Sequence, residues 1–418
     1  MIAQRPMTFP RPGFQAVSWR RGRLRSWVLL LRAMTVGSFT LPLWSRLGNL
    51  PVREKTEETR KEVADRAGRA PDFLTFAFHA LPAELQSRTV ILPFRKDVWW
   101  EKVLRSFRLP GLADRSQALR RAWALFRKAP GFDVVITTGT LDGLTFAYLQ
   151  KLRGSQRPVH VMYDCLWYGG SRLKRAWMRS CLRQVDRCVV WASVEQARYA
   201  SAYGVAPGKF VFIPHHHSLL RYHFEIGDAG YVFTGGNADR DYQFFFEAVR
   251  DLSVSCLLAT NRPRLLADLQ VPANVRLVSA THSEFRQLMA RARIVVMPMR
   301  ATLLHAGAQQ SILNAMYMGK PVVLTDPEGG ADYIQQGKTG LLVPYGDVPA
   351  LREAIARLWQ EPGEARAIGE RAREAAAPLT TERCNTEIWK LAMRLLTPGA
   401  DPELGTPVIR NGDSQTPG

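Results

Sequence analysis

Two glycines followed closely by an arginine mark the first place in this chain where chemistry could occur. In Phe233-Thr-Gly-Gly-Asn-Ala-Asp-Arg-Asp-Tyr242, Gly235 and Gly236 stand where an apolar run stops, so the backbone there can approach an oxyanion. A helix starting just beyond them would aim N–H groups and a favourable dipole at the same point. Arg240 adds a fork of donors suited to phosphate. Together these residues predict a diphosphate cradle. Asp239 and Asp241 flank Arg240 with the spacing of a metal-binding acidic pair, but beside a glycine turn they read as cap or charge partners, and no metal is expected.

Further polar groups gather in the stretch Leu304 to Pro344, LHAGAQQSILNAMYMGKPVVLTDPEGGADYIQQGKTGLLVP. Gly307, Gln309, Gln310 and Ser311 fall at the start of an expected helix, Gln309 to Met318. There they could present hydrogen-bonding groups to a sugar or phosphate, or simply cap and pack the helix. Asn314 can bond a hydroxyl without carrying charge, and His305 could touch a phosphate or close the loop. Thr260 and Asn261 end the expected strand Ser255 to Ala259, where base or ribose recognition competes with loop capping. The run His215, His216, His217 invites a metal reading, yet consecutive residues of an extended segment cannot all point one way, and no Cys or carboxylate completes the set.

The elements that must position these groups alternate as strand and helix. Expected strands are Phe73 to Phe78, Val90 to Phe94, Asp133 to Ile136, Val159 to Tyr163, Arg187 to Trp191 and Lys209 to Ile213, with helices such as Leu144 to Leu152 and Val194 to Tyr203 between the later ones. The second half repeats the rhythm from Tyr231 to Thr234 onward, with expected helices at Tyr242 to Leu252, Arg264 to Leu269 and Ser283 to Ala290. The β-branched run after Pro321 suits a parallel strand covered on both faces. Largely parallel sheets follow, and ligands meet such sheets at the carboxyl ends of the strands. The loops Thr137 to Thr140 and Asp164 to Gly170 belong to that edge.

Ala315, Met316, Gly319, Lys320, Pro321, Val322 and Val323, with the glycine turn at Gly235 to Arg240, resemble the donor-binding end of GT-B glycosyltransferases, the retaining glycosyltransferase family 4, or glycosyl transferases group 1. The resemblance spans Asp133 to Leu395 and implies an α/β GT-B fold with two Rossmann-like domains facing across a cleft. It implies transfer of a sugar from a UDP- or GDP-sugar donor to a hydroxyl of a glycan or lipid-linked acceptor, with retention and no further cofactor. Asp164, Arg240, His305 and Asn314 become the candidate catalytic residues. Gly235, Gly236, Arg240, Thr260, Asn261, Gly307, Gln309, Gln310, Ser311, Asn314 and the loop Glu328, Gly329, Gly330 become the donor contacts. Thr138, Gly139 and Asp164 fall on the acceptor side, with Asp164 as the base. Asp332 falls at a commonly acidic position or is a helix cap.

The chain also departs from that pattern. The positions of the two glutamates of the relatives' E-x7-E motif are Ala306 and Asn314, and no Lys follows Arg240. These departures motivate one alternative, a catalytically inactive GT-B-derived binding or scaffold protein; a second is a sugar-nucleotide epimerase of similar two-domain architecture.

The 418 residues suffice for two domains, and a net charge of +20 favours anionic partners. No zinc-finger or RNP-like pattern argues for nucleic acid. Met1 to Leu50 holds eight arginines and no acid around the apolar run Trp27 to Trp44, which Arg32 and Pro42 interrupt. That composition suits an anionic membrane surface better than a span. The expected divisions are a basic extension at 1–52, an acceptor domain at 53–225, a donor domain at 226–378, a C-terminal helix at 379–397 returning toward the first domain, and a disordered tail at 398–418. The expected placement is cytoplasmic, free or peripheral at the inner face of the cytoplasmic membrane, with its five cysteines as free thiols.

Overall fold

The computed structural model describes residues 28–31, 89–92, 99–107, 110–154, 157–165, 171–219, 222–237, 239–300, 305, 307–325 and 327–396. The expected strand Phe73 to Phe78, most of the basic extension and the tail at 398–418 lie outside the described residues.

Two six-stranded sheets organise the chain, each built of parallel pairs. The first contains β1 (Val28–Leu31), β2 (Thr89–Leu92), β3 (Val134–Thr138), β4 (Val159–Tyr163), β5 (Arg187–Val190) and β6 (Phe210–Phe212), in the order β2-β1-β3-β4-β5-β6. Between them run α1 (Trp99–Ser106), α2 (Pro110–Lys128), α3 (Thr140–Gln150), α4 (Arg172–Leu182) and α5 (Val194–Tyr203). The second sheet contains β7 (Val232–Gly235), β8 (Cys256–Ala259), β9 (Val275–Val278), β10 (Ile294–Met297), β11 (Val322–Leu324) and β12 (Leu341–Leu342), in the order β12-β11-β10-β7-β8-β9. Its helices are α6 (Tyr242–Val249), α7 (His282–Ala290), α8 (Gln309–Tyr317), the single turn α9 (Pro327–Gly330), α10 (Val348–Gln360) and α11 (Pro362–Ala376), and α12 (Thr381–Leu396) ends the described chain.

Two expectations are corrected. Val28–Leu31, read as part of a membrane-surface segment, is a strand with parallel partners on both sides, Thr89–Leu92 and Val134–Thr138. Pairing on both edges satisfies the backbone groups of this segment. The helix expected at Arg264 to Leu269 is only a 3-10 turn at Pro263–Leu265. Pro263 and Pro272 leave too short a window between them for a helix to nucleate and propagate.

The period of two along each strand divides the core. In the second sheet Val232, Leu258, Ile294 and Val296 face α6, α10 and the start of α11, while Phe233, Leu257, Val295 and Met297 face α7, α8 and the end of α11. In the first sheet Val135, Met162, Cys188 and Val190 meet α2 to α5. Val134, Ile136, Val161 and Val189 instead meet Ile388, Trp389 and Leu391 of α12, so the last helix closes the first sheet's other face. Burying Ile388 and Leu391 there contributes about 1.5–3 kcal/mol each.

The Gly-Lys-Pro turn shows how sequence makes local structure. Gly319 has φ 71°, the left-handed conformation that ends α8, and Pro321 cannot continue a helix and leads into β11. Gly369 of α11 lies against this turn, and a Cβ there would fall 2.1 Å from the Gly319 carbonyl oxygen. All five cysteines are free and buried.

Candidate functional site

β7 is wholly buried and ends in the glycine pair. Gly236 has φ 122°, a conformation open to glycine, and its N–H donates to the Ala259 carbonyl at 3.1 Å. Tyr242 Oη donates to the Gly236 carbonyl at 2.6 Å and closes the turn, while Asp241 caps α6 by accepting from the Phe244 N–H at 3.1 Å. Arg240 folds back beneath the turn. Its Nε donates to the Gly235 carbonyl at 3.2 Å and its Nη1 lies 3.1 Å from the Met299 sulfur, leaving it 8% exposed. Burial lowers its pKa, with Tyr242 and Asp239 acting in the opposite sense. A sulfur is a weak acceptor, so a diphosphate oxygen reaching this guanidinium would be a far stronger partner.

Asp239 follows with φ 59° and accepts from His305 Nε2–H at 3.1 Å. That bond, more than any neighbouring charge, holds the Asp239 carboxyl below the ordinary carboxylate range. His305 is thereby tied to the β7 turn. Gly307 closes the same wall, since a Cβ on it would fall 2.4 Å from Met299 Cε. At the end of β8, Thr260 Oγ1 donates to Asn237 Oδ1 at 2.9 Å, and the Asn261 N–H donates to the same oxygen at 3.3 Å. The fold therefore gathers Gly235, Gly236, Arg240, Thr260, Asn261, His305 and Gly307 around one sheet edge.

Helix α8 holds the segment that joins the two lobes. Ala308 precedes it at φ 71°, and Gln309 is buried behind it. Gln310 Nε2 donates to the His216 carbonyl at 3.1 Å, Asn314 Oδ1 accepts from the Ser218 N–H at 3.0 Å, and the Tyr317 ring stacks on His217 at 3.9 Å. Positions 310, 314 and 317 share one helical face, and that face grips the segment joining the two lobes. Ser311 is half-buried beside them. Burial lowers the pKa of His215, His216 and His217, so the triplet packs as neutral rings. Among the described residues no group of three or more His, Cys, Asp or Glu is arranged to hold a metal ion.

In the first lobe, β3 ends at buried Thr138, and Gly139 (φ 80°) precedes α3. Its N–H donates to the Tyr163 carbonyl at 3.2 Å. One strand over, Asp164 stands at the end of β4 with φ 52°. Its side chain is exposed, and desolvation by the groups around it raises its pKa. Among the described residues the non-glycine residues with positive φ are Asp164, Asp239 and Ala308, and each stands at a strand end or helix start on a ligand edge. Such backbone strain concentrates at functional sites. The neighbouring His160 is fully buried, shares a 2.9 Å hydrogen bond with Thr137 Oγ1, and is pushed down to about 3 by desolvation, which suits a structural role.

Contacts between the lobes fix which edges face. Asp332 Oδ2 accepts from the Ser193 N–H at 2.7 Å, Glu328 pairs with Arg198, and Tyr333 Oη donates to the Trp191 carbonyl while accepting from the His215 N–H at 2.9 Å. Trp191 and Ser193 follow β5, and Glu328 to Tyr333 follow β11, so the carboxyl ends of the two sheets look at one another. Asp332 is therefore an inter-lobe acceptor where a helix cap was the alternative. Glu328 is exposed and ion-paired, and Gly330 packs too closely on Leu324 and Leu342 for a Cβ. These cross-lobe partners were not legible in the sequence.

Residues 230–361 match the family model for glycosyl transferases group 1. The match lies within the C-terminal lobe, which is similar to that family. A stretch of 106 residues is 26% identical to EpsD of Bacillus subtilis, which carries a glycosyltransferase name; it covers 25% of this chain and 27% of that protein. Over the whole fold the chain is similar to sucrose-phosphate synthase from Thermosynechococcus elongatus, with TM-score 0.58 and 16% identity over 89% of this chain and 99% of the other. It is similar also to Anabaena HepE in complex with UDP, with TM-score 0.58 and 13% identity over 88% and 99%. The fold is thus GT-B, with the group 1 lobe following an N-terminal Rossmann-like lobe.

Proposed function

We propose that this protein is a glycosyltransferase that moves a sugar from a UDP- or GDP-sugar to a hydroxyl of a glycan or lipid-linked acceptor, with retention. The observation that carries the reading is the glycine turn with buried Arg240 on one sheet edge, turned toward the edge that holds Asp164. The group 1 lobe would take the donor and the N-terminal lobe the acceptor. That HepE was solved with UDP and with UDP-glucose supports a uridine donor.

Gly235, Gly236 and the start of α6 would meet the diphosphate with backbone donors, and Arg240 would supply charge. The bond between the anomeric carbon and the diphosphate oxygen breaks, and its electron pair leaves with the diphosphate. These preorganised donors stabilise that developing charge in a site shielded from water. The acceptor oxygen bonds the anomeric carbon, and its proton passes to Asp164, whose raised pKa makes it a better base than a solvated carboxylate. His305 would be held by Asp239 to face the donor. Asn314 acts from behind the donor helix, by holding the linker. Thr260 and Asn261 would meet base or ribose.

A second reading, nucleotide-sugar binding without transfer, is favoured by the one fact that Asn314 is engaged with the linker. Titration with UDP, GDP and their sugars, followed by product analysis with mixed glycan and lipid acceptors, tests both. Binding of none of these nucleotides would end the transferase reading, and tight binding with no product would select the second.

A further inference from the structure

The apolar surface of the molecule is unevenly distributed. Ten of the fourteen large apolar side chains exposed among the described residues fall between Trp100 and Trp177, on the helices of the first lobe or in the turns that end them. Successive parallel strands β3, β4 and β5 require crossovers of one hand, so α3 and α4 lie side by side on one face of the sheet, and α2 packs beside α3. Their outer surfaces form one strip. On α4, Leu173, Trp177 and Ser180 recur at helical spacing on one face, and Lys151 at the end of α3 donates to Ser180 Oγ. The Arg153 guanidinium lies 3.9 Å from the Phe126 ring centroid, and Phe126 stacks on Trp123 at 5.5 Å. Leu119 and Leu112 continue the same face of α2.

This strip is cationic throughout. The first six residues of α4, Arg172 to Trp177, are all exposed and include Arg172, Lys174 and Arg175, and Leu173 is 84% exposed. Arg115, Arg127 and Lys151 are exposed on α2 and at the end of α3. Within the three helices no carboxylate is exposed, because Asp142 is buried against Arg121 and Asp114 is half-buried. Extensive exposed apolar side chains mark an interaction site, and apolar anchors interleaved with cations complement a surface that is oily beneath and anionic above. An acidic protein partner would match the charge but leave so many scattered apolar anchors without pockets.

We propose that the outer face of α2, α3 and α4 docks on an anionic lipid bilayer. Leu152, 73% exposed, and Leu173 would enter the headgroup boundary, while the Lys and Arg stems extend along it and leave their charges among lipid phosphates. Because α4 begins at the same sheet edge as Asp164, docking would hold the candidate acceptor side next to lipid-borne hydroxyls.

The test is co-sedimentation of the full chain with phosphatidylglycerol–phosphatidylcholine vesicles, with phosphatidylcholine vesicles and with labelled single-stranded RNA. Binding to the anionic vesicles that weakens with added salt is expected. It should fall at least tenfold in Trp123→Glu combined with Leu173→Glu, and stay unchanged in Leu277→Glu on the other lobe. Should the apolar pair fail to keep the wild-type melting temperature, Lys151→Glu with Arg175→Glu serves in its place, with the same loss expected. Absence of vesicle binding, binding unaltered by the face variants, or RNA bound more tightly than vesicles and lost with the same variants would each overturn the proposal. Vesicle binding needs neither donor nor acceptor, so its outcome is separable from that of the transferase reading.

Discussion

Asp239 Oδ2 accepts from His305 Nε2 at 3.1 Å, joining the turn after β7 to the loop before α8. The two segments are far apart in sequence and supply different parts of the donor edge, the phosphate cradle and the wall around Gly307. The bond also explains why a non-glycine residue tolerates φ 59° at position 239. A carboxylate already held by a ring N–H is also held in place beside Arg240.

Replacing Arg240 with Gln should separate diphosphate from nucleoside recognition. Loss of a charge-assisted hydrogen bond costs about 1.5–3 kcal/mol, or roughly 10- to 150-fold in affinity for UDP or GDP. Uridine and guanosine should bind as before. Calorimetric titration of all four ligands checks this, and equal losses for nucleoside and nucleotide would remove the phosphate role.

Asp164→Asn should leave nucleotide affinity intact and lower kcat by about 10²-fold or more, the usual contribution of a positioned base. The base must be ionised, and desolvation raises its pKa, so wild-type activity should fall as pH drops through that raised value. The variant should lack this acid limb. An unchanged pH–rate profile would assign the limb to another group.

Lys320 sits in the Gly-Lys-Pro turn, 6% exposed, with Nζ donating to the Gly227 carbonyl at 2.6 Å, and desolvation pushes its pKa down to about 8. Between pH 8 and 10.5 the unfolded chain holds a proton there that the folded chain has released, so this group's contribution to stability grows as pH rises through that window. Below pH 8 both states hold the proton, and the contribution no longer changes with pH. Denaturant midpoints of wild type and Lys320→Met should therefore differ in slope over that range, and parallel curves would refute the assignment.

Tyr333→Phe should loosen the lobes. The hydroxyl donates to the Trp191 carbonyl and accepts from the His215 N–H, and leaving such buried groups unsatisfied costs about 1–3 kcal/mol. A lower unfolding midpoint with a larger radius of gyration in solution scattering is the expected pair of results. A drop in stability without expansion would make Tyr333 a packing residue alone.

Sequence by itself determined the α/β alternation, because apolar runs of strand length between helical periods leave few other solutions. It also located the glycine turn at Gly235 and the Gly-Lys-Pro turn, whose residue types are demanded by local backbone geometry. Side-chain chemistry singled out Arg240 and His305 as candidates, and the family resemblance added Asp164. The tertiary structure decided what these residues touch. It turned Asn314 and Gln310 toward the linker, Asp332 toward Ser193, and Val28–Leu31 into the middle of a sheet. Each of those outcomes is a pairing across long stretches of chain, set by how two sheets stack and face, and no local pattern carries that information.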